Sequence, residues 1–464
     1  MSLIAIKNAD WILTMDGARR VIADGSILID KDRIRAIGKS AVIEIPPETT
    51  KVIDGRGKVV LPGLIDSHTH HSLHLGRGLA DECDIQTFLY RRLYPIEASL
   101  NDEDAYISAL LCQLEMIKSG TTSIIDAGNY FPEATLRAFG TTGMRGVVAR
   151  STFDIPTSSL GSLPAQVFAE ETNVALKRAE EFVERNSGAC DGRVQAWLQL
   201  RVLPNCSDEL CRGLKSIADR LGVRYEAHAA FTKEVYEASK LQFGKSEVRR
   251  LDDLGILGEG LLLAHMGWLT PRDILLLISS KTNVVLCPTS SVHQAMGSIA
   301  FGHVPELLEM GVNVALGTDG GPHGTNDLVR QIFVAAGGYK EVRLDATIMP
   351  PETVLEMATV NGARAMGMSD QVGSIEPGKK ADITIFDSRR PEWRPLHNPV
   401  ANLVYCANGN SADTVIVDGR ILMENRKILT FNEDDVITEA QRRSVEIGAR
   451  AGLLEYGRPR WPVH

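Results

Sequence analysis

Between Pro62 and Gly378 the chain alternates short, nearly continuous apolar runs with longer amphipathic stretches. Strands covered on both faces by helices read this way, because no face of the strand is left for water. Eight such runs stand out: Gly63 to His68, Thr122 to Ala127, Gly146 to Thr152, Val194 to Leu200, Val223 to His228, Leu261 to His265, Asn283 to Cys287, and Val312 to Thr318. Helical spacing fits the segments between them, among them Asp102 to Lys118, Thr172 to Arg185, Asp208 to Leu221, Pro271 to Ser279 and Val304 to Met310. Asp102, Glu103 and Asp104 put carboxylates at a helix start, where the backbone dipole favours them. Eight strand–helix units predict an α/β fold of the (β/α)8 TIM-barrel type. A doubly wound open sheet is the runner-up, and no Gly-x-Gly-x-x-Gly turn follows an early strand to support it.

The two ends follow another pattern. Ile4 to Ile6, Trp11 to Met15, Ser26 to Ile29 and Arg33 to Ile37 carry β-type residues, punctuated by Asp16-Gly17, Asp24-Gly25 and Asp54-Gly55. Such Asp-Gly pairs favour tight turns. The pattern returns in Ala381 to Phe386, Asn402 to Cys406, Thr414 to Val417 and Ile421 to Met423. One small β-sandwich assembled from residues 1–61 and 379–430 is expected rather than two unrelated caps. Residues 62–378 form the barrel, and residues 431–464 add a closing helix, read at Ile437 to Leu454, and a tail packing on the barrel.

Composition narrows the partners. The formal charge is −9, which argues against a nucleic-acid or anionic-membrane surface. The seven cysteines are scattered without a Cys-x-x-Cys pair, so they read as reduced, mostly buried thiols. No basic stretch and long apolar run open the chain, and no apolar run approaches the roughly 20 residues needed to cross a bilayer. A cytoplasmic protein acting on a small molecule is expected.

Candidate chemistry gathers at the C-terminal ends of the strands, which in a barrel face one mouth. The first ends in Asp66-Ser67-His68-Thr69-His70-His71, the fifth in His228, the sixth in His265 and the eighth in Thr318-Asp319-Gly320. Residues two apart on a strand point the same way, so His68 and His70 can face one ion. Imidazole and carboxylate donors suit Zn²⁺, Fe²⁺ or Co²⁺.

The segment Pro62-Gly63-Leu64-Ile65-Asp66-Ser67-His68-Thr69-His70, the strand-end histidines His228 and His265, and Gly317-Thr318-Asp319-Gly320 resemble the amidohydrolase superfamily. Gly76-Arg77-Gly78-Leu79-Ala80, Ser119-Gly120-Thr121-Thr122, Cys287-Pro288-Thr289-Ser290 and the stretch from Gly373 to Asp382 resemble its aminohydrolase and chlorohydrolase branch, which includes S-adenosylhomocysteine, guanine and triazine-ring hydrolases. The resemblance runs to about Leu422. It implies one divalent metal per chain, zinc before iron or cobalt, held by His68, His70, His228 and Asp319. It implies that His265 bonds the metal-bound water or the substrate, that Asp319 relays the water's proton, and that the protein is a homodimer. A bound divalent ion lowers the pKa of its water to roughly 7, which makes hydroxide available at neutral pH.

Two positions depart from the branch. Its deaminases carry a glutamate three residues after the fifth-strand histidine, and here that residue is Phe231. Glu226, two residues before His228, could replace the acid or orient a ligand. Glu234, three residues beyond Phe231, could also replace the acid but reads more readily as a solvated helix-start residue. Arg201 ends the fourth strand where purine-acting members often show histidine, and it could bind a carboxylate or oxo group or pair with a nearby acid. No lysine ends that strand, so a carbamylated-lysine bridge between two metals is not expected. His71, His74, His293 and His323 fall in mouth loops as candidate pocket residues, with His323 a candidate proton donor.

The expected function is therefore hydrolysis of a C–N bond, of the deaminase type, in a small N-heterocycle. The absent glutamate keeps open an amide, urea or thiocarbamate hydrolase and a triazine dechlorinase. A scaffold that has lost catalysis is disfavoured, because every expected ligand is present.

Overall fold

The computed structural model describes residues 3–164, 170–322 and 324–463. Eight parallel strands pair in sequence order: Leu64–Thr69, Thr121–Asp126, Arg145–Thr152, Val194–Val202, Tyr225–Ala229, Leu261–His265, Asn283–Leu286 and Val314–Leu316. All eight runs expected to be strands are strands. The eighth, Val314–Leu316, is shorter than its apolar run; the Gly317 N–H still donates to the Leu286 carbonyl at 3.0 Å before the chain meets the first strand. The ring is closed just beyond it, where the Asp319 N–H donates to the His68 carbonyl and the His70 N–H to the Gly320 carbonyl, both at 2.8 Å.

Inside the barrel, Ile65, Ile125, Val147, Trp197, Leu262 and Val285 make an apolar layer, with Ala363 and Met366 packed against it from the region of the Val360–Ala365 helix. That layer leaves only the opposite end of the barrel for polar groups. The outer helices start on the signals that the sequence carries. Asn101 and Asp104 form a reciprocal capping box on Asp102–Lys118, Ser207 caps Asp208–Leu221, and Thr270 with Asp273 boxes Pro271–Ser280.

Both chain ends enter one nine-stranded sheet. Its order runs Lys427–Ile428, Arg420–Glu424, Ala412–Val417, Ile383–Asp387, Lys58–Pro62, Leu3–Leu13, Val21–Asp30 and Arg33–Lys39, with Lys51–Asp54 also paired to Leu3–Leu13. The two halves share an apolar cluster that includes Ile6, Ile12, Ile27, Val60, Ile383 and Ile416. The far strand also meets the entry to Ile383–Asp387, through the Ile34 N–H on the Lys379 carbonyl and the Ala381 N–H on the Asp32 carbonyl.

One expected strand is not a strand. Asn402 to Cys406 falls in a helix, Pro399–Tyr405. Asn398 accepts hydrogen bonds from the Val400 and Ala401 N–H groups, Pro399 fills the first turn, and Val400, Leu403 and Val404 are buried at helical spacing. The closing helix begins earlier than its apolar pattern, at Glu433, and runs to Arg450. Arg443 and Arg450 bind the two oxygens of Asp104, and Lys118 binds Glu433, which fixes this helix against Asp102–Lys118.

Candidate metal centre and cleft

The four strand ends named by the sequence meet at one point. His70 Nε2 lies 3.2 Å from Asp319 Oδ1, His68 Nε2 lies 3.5 Å from the same oxygen, and His265 Nε2 lies 4.0 Å from Asp319 Oδ2. His228 Nε2 is 3.3 Å from His70 Nε2. One donor atom from each of His68, His228, His265 and Asp319 lies within 4.8 Å of all the others. His70, which shares contacts with Asp319 and His228, completes a ring of five. None of the five is more than 7% exposed.

Backbone shape serves this convergence. His265 and Asp319 take φ of 78° and 51°, and Ala230, two residues past His228, takes 49°. Residues other than glycine rarely occupy this region, and such strained positions collect at functional sites. Asp66 ties the first and eighth strands, its Oδ1 accepting from the His68 and Thr318 N–H groups at 3.1 Å each. The Ser290 hydroxyl donates to Asp319 Oδ2 at 2.5 Å, and Gln199 Nε2 reaches His228 Nδ1 at 3.5 Å.

Electrostatics separate the groups. Burial holds His70 down to about 3, with the Arg201 charge adding to it, and burial with the neighbouring imidazoles holds His228 well below its usual value. Burial also works to lower His68, but the flanking carboxylates Asp319 and Glu226 raise it to about 10. Burial raises Asp319 less than its contacts with His68 and His70 lower it, so it lies well below the usual range. Neither ring nitrogen of His68 has a hydrogen-bond partner among the described residues, and neither does His70 Nδ1. Buried polar atoms of this kind are costly unless something satisfies them. Neutral imidazoles at His70 and His228, an ionised Asp319 and a His68 drawn toward two carboxylates are a donor set that could hold a divalent cation, which would take the place of the His68 proton.

A narrow cleft opens onto this ring. Arg201 and Phe231 line it together with His70, His228, His265 and Asp319. The Phe231 ring stands 5.6 Å from that of His265 and 6.5 Å from that of His228. Asp319 is the sole carboxylate among the described lining residues. Glu226 lies on the other side of His68, its Oε2 3.8 Å from Nδ1, and does not line the cleft.

The remaining candidates fall elsewhere. His71 is buried with Nδ1 3.0 Å from Asp126 Oδ1, and His74 is buried with Nε2 2.6 Å from Asn326 Nδ2. Both point away from the cleft lining, as does His293, which meets Asp81 at 3.3 Å near the surface. His323 lies outside the described residues. Glu234 is exposed in the first turn of Lys233–Phe243.

The apolar cleft wall was not read from the sequence. Ile85, Phe88, Leu89 and Leu93 come from a π-helical stretch, Thr87–Leu93, and the turn before it, and Tyr94 follows in Tyr94–Ala98. Met296 and Pro322 face them. The clustering of Phe88, Leu89 and Leu93 was the available signal. Also unread was Glu97, fully buried, whose Oε2 accepts from Arg201 Nη2 at 3.3 Å.

The model of the Amidohydrolase family matches residues 59–422. The chain is 38% identical over 453 residues to the 5'-deoxyadenosine deaminase of Methanosarcina acetivorans, covering 97% of this chain and 100% of that one. It is 33% identical over 449 residues to the 5-methylthioadenosine/S-adenosylhomocysteine deaminase of Pelotomaculum thermopropionicum, covering 96% and 99%. A zinc-bound adenosine deaminase from Xanthomonas campestris shares the fold with a TM-score of 0.87 at 26% identity, covering 96% and 98%. A zinc-bound atrazine chlorohydrolase from Arthrobacter aurescens has a TM-score of 0.86 at 22% identity, covering 95% and 100%, a likeness of fold alone. The chain is a hydrolase of carbon–nitrogen bonds and belongs to the Amidohydrolase family.

Proposed function

We propose that the protein is a metal-dependent deaminase that releases ammonia from the ring of a purine nucleoside with an apolar 5' end. The observation that carries this reading is the five-residue ring of histidines and Asp319 at the floor of a cleft with an apolar wall. Relatives named for 5'-deoxyadenosine and for 5-methylthioadenosine/S-adenosylhomocysteine support a 5'-modified adenosine, and the cleft's apolar wall favours an apolar 5' end. We assign His68, His70, His228 and Asp319 as ligands of one zinc ion per chain. A bound divalent ion makes water acidic enough to supply hydroxide at neutral pH.

The chain's own groups would divide the remaining work. Asp319, anchored by Ser290, takes a proton on one oxygen and returns it toward the leaving group. His265, beside Asp319, donates a hydrogen bond to charge developing on the substrate. Arg201 presents a fixed guanidinium, held by the Gly128 carbonyl at 2.6 Å and Ser151 Oγ at 3.1 Å. Phe231 and the apolar wall exclude bulk water, which strengthens each of these contacts. Glu226 orients His68 from behind. We also propose a cytoplasmic homodimer, divided into residues 1–61 with 379–430, 62–378 and 431–464.

A second reading has its own observation. Phe231 leaves Asp319 as the cleft's carboxylate among the described residues, which favours leaving groups that need little protonation, as in an amide, urea or thiocarbamate hydrolase or a triazine dechlorinase. A panel of 5'-deoxyadenosine, 5'-methylthioadenosine, guanine, an arylurea, a thiocarbamate and a chlorotriazine, read for ammonia, amine and chloride, separates the two. Ammonia from the nucleosides is expected. Amine or chloride from the last three, with no ammonia from the first three, would replace the first reading by the second.

A further inference from the structure

Ala230 is the first residue beyond the fifth strand, and its backbone bonds cross to other segments of the chain. Its N–H donates to Glu247 Oε2 at 2.5 Å, and its carbonyl accepts from the Gly267 and Trp268 N–H groups at 2.9 and 3.0 Å. It takes φ of 49°, a left-handed conformation that a residue with a Cβ adopts only where its surroundings impose it. In this clamp the N–H is held by a side chain and the carbonyl by backbone.

Glu247 is itself held in place. It opens the helix Glu247–Asp253, and the Ser246 hydroxyl before it donates to Asp273 Oδ1 at 2.6 Å. Arg250, one turn on, donates to the Leu203 and Cys206 carbonyls at 2.9 and 2.6 Å. The helix is therefore tied to the segments that follow the fourth and sixth strands, and the glutamate offers Ala230 a fixed acceptor.

The clamp bears on Phe231 more than on His228. His228 lies within the ladder, paired with Val202 and Ala264, and Ala229 is paired with His265, so strand pairing fixes the histidine. Phe231 lies beyond the ladder, between Ala230 and the Thr232 cap of the next helix, so the torsions at Ala230 set the direction of its side chain. Its ring is buried at the cleft beside that of His265, whereas Glu247 does not line the cleft.

We propose that Glu247 is a positioning residue: by holding the Ala230 N–H it aims Phe231 into the cleft, and so sets how well a substrate seats there without altering the metal site. The consequence for substrate rests on the functional reading; the placement of Phe231 does not.

Glu247→Met keeps the length of the side chain and removes the acceptor, while Glu247→Gln keeps the acceptor. In zinc-loaded protein carrying Phe231→4-fluorophenylalanine, Glu247→Met is expected to displace or split the fluorine resonance, and Glu247→Gln to leave it in place. With the panel substrate that turns over, Glu247→Met is expected to lower kcat/KM by about 10- to 100-fold, carried by KM, since a misplacement of about 1 Å suffices for such a loss. Glu247→Gln should stay close to the wild type, and zinc retention should be unchanged in both. A residue that served stability alone would lower the melting temperature and move neither the resonance nor KM. An unmoved resonance in Glu247→Met, a displaced one with KM unchanged, or a Glu247→Gln variant that behaves like Glu247→Met overturns the proposal. Should Glu247→Met fail to fold, Glu247→Asp, which withdraws the carboxyl by one methylene, takes its place with the same outcomes; if neither folds, Glu247 serves folding alone and the proposal falls. An enzyme inactive on every panel substrate would remove the functional reading and leave the fluorine resonance to decide the placement of Phe231.

Discussion

His70 and His228 stack their rings within 7° of parallel and point Nε2 at Nε2 across 3.3 Å. Both imidazoles are held neutral by burial, so this geometry aims two nitrogens of the same kind at one spot. A cation shared between them, His68 and Asp319 would draw on the lone pairs of both nitrogens. Purified protein is expected to carry about one divalent ion per chain by elemental analysis. Dialysis against a chelator should lower the melting temperature, because a ligand bound only by the folded state adds roughly 4 kcal/mol when present at about 1,000 times its Kd. Zinc should restore it, and His70→Ala should abolish the response. A melting curve indifferent to chelator and zinc would end the metal assignment.

Glu226 reaches His68 from the side opposite Asp319. A carboxylate so placed fixes which nitrogen of the ring faces the ligand site, a contribution commonly worth 10- to 100-fold in metal affinity. Glu226→Gln is expected to weaken zinc retention by about that factor, measured against a competing fluorescent chelator, with turnover recovered at saturating zinc. Turnover lost while zinc is fully bound would instead make Glu226 an acid in the reaction.

The legible part of this protein was the part written in local patterns. Barrel strands are apolar on both faces, so runs such as Leu261 to His265 announced themselves, and the polar residues ending those runs marked the mouth. Asn402 to Cys406 reads as a strand because its β-type side chains outweigh the Asn398-Pro399 start signal upstream, which in the fold governs the segment. His71 and His74 look like His70 in the sequence, yet a 3-10 turn from His71 to Gly76 swings them into the packing around Asp126 and Asn326. Glu97 could not be read at all. Its partner is 104 positions away, and only the folded wall brings the two charges together.

Glu247 supplies a pH-dependent term outside the ring. It is fully buried, its Oε2 accepts the Ala230 N–H at 2.5 Å, and Oε1 has no partner among the described residues. Burial pushes its carboxyl up to about 8. The folded protein therefore holds a proton that the unfolded chain releases near the usual carboxylate value, so stability falls as pH rises and levels off above about 8. Glu247→Gln keeps an acceptor for Ala230 and removes the titration. Its urea midpoint should stay close to the wild type's at pH 5 and exceed it increasingly toward pH 8. Parallel curves over that range would show that Glu247 is ionised in the folded protein.

Gly317 explains why the eighth strand can complete the site. A Cβ there would lie 2.8 Å from both the Cβ and the backbone nitrogen of His68, and 3.0 Å from its carbonyl oxygen. Two of those three atoms are backbone, in the strand that carries His68 and His70, so a rotamer change gives no relief. Gly317→Ala must push the first and eighth strands apart, and with them the bond from the Asp319 N–H to the His68 carbonyl. Overpacking of this kind commonly costs about 1–3 kcal/mol. The displacement falls on the two strands that hold three of the four assigned ligands, so zinc affinity should drop more than stability does. Zinc titration and thermal melting of Gly317→Ala separate the two effects. A variant that loses stability but binds zinc as tightly as the wild type would show that the loop beyond Leu316 adjusts independently of the strand it touches.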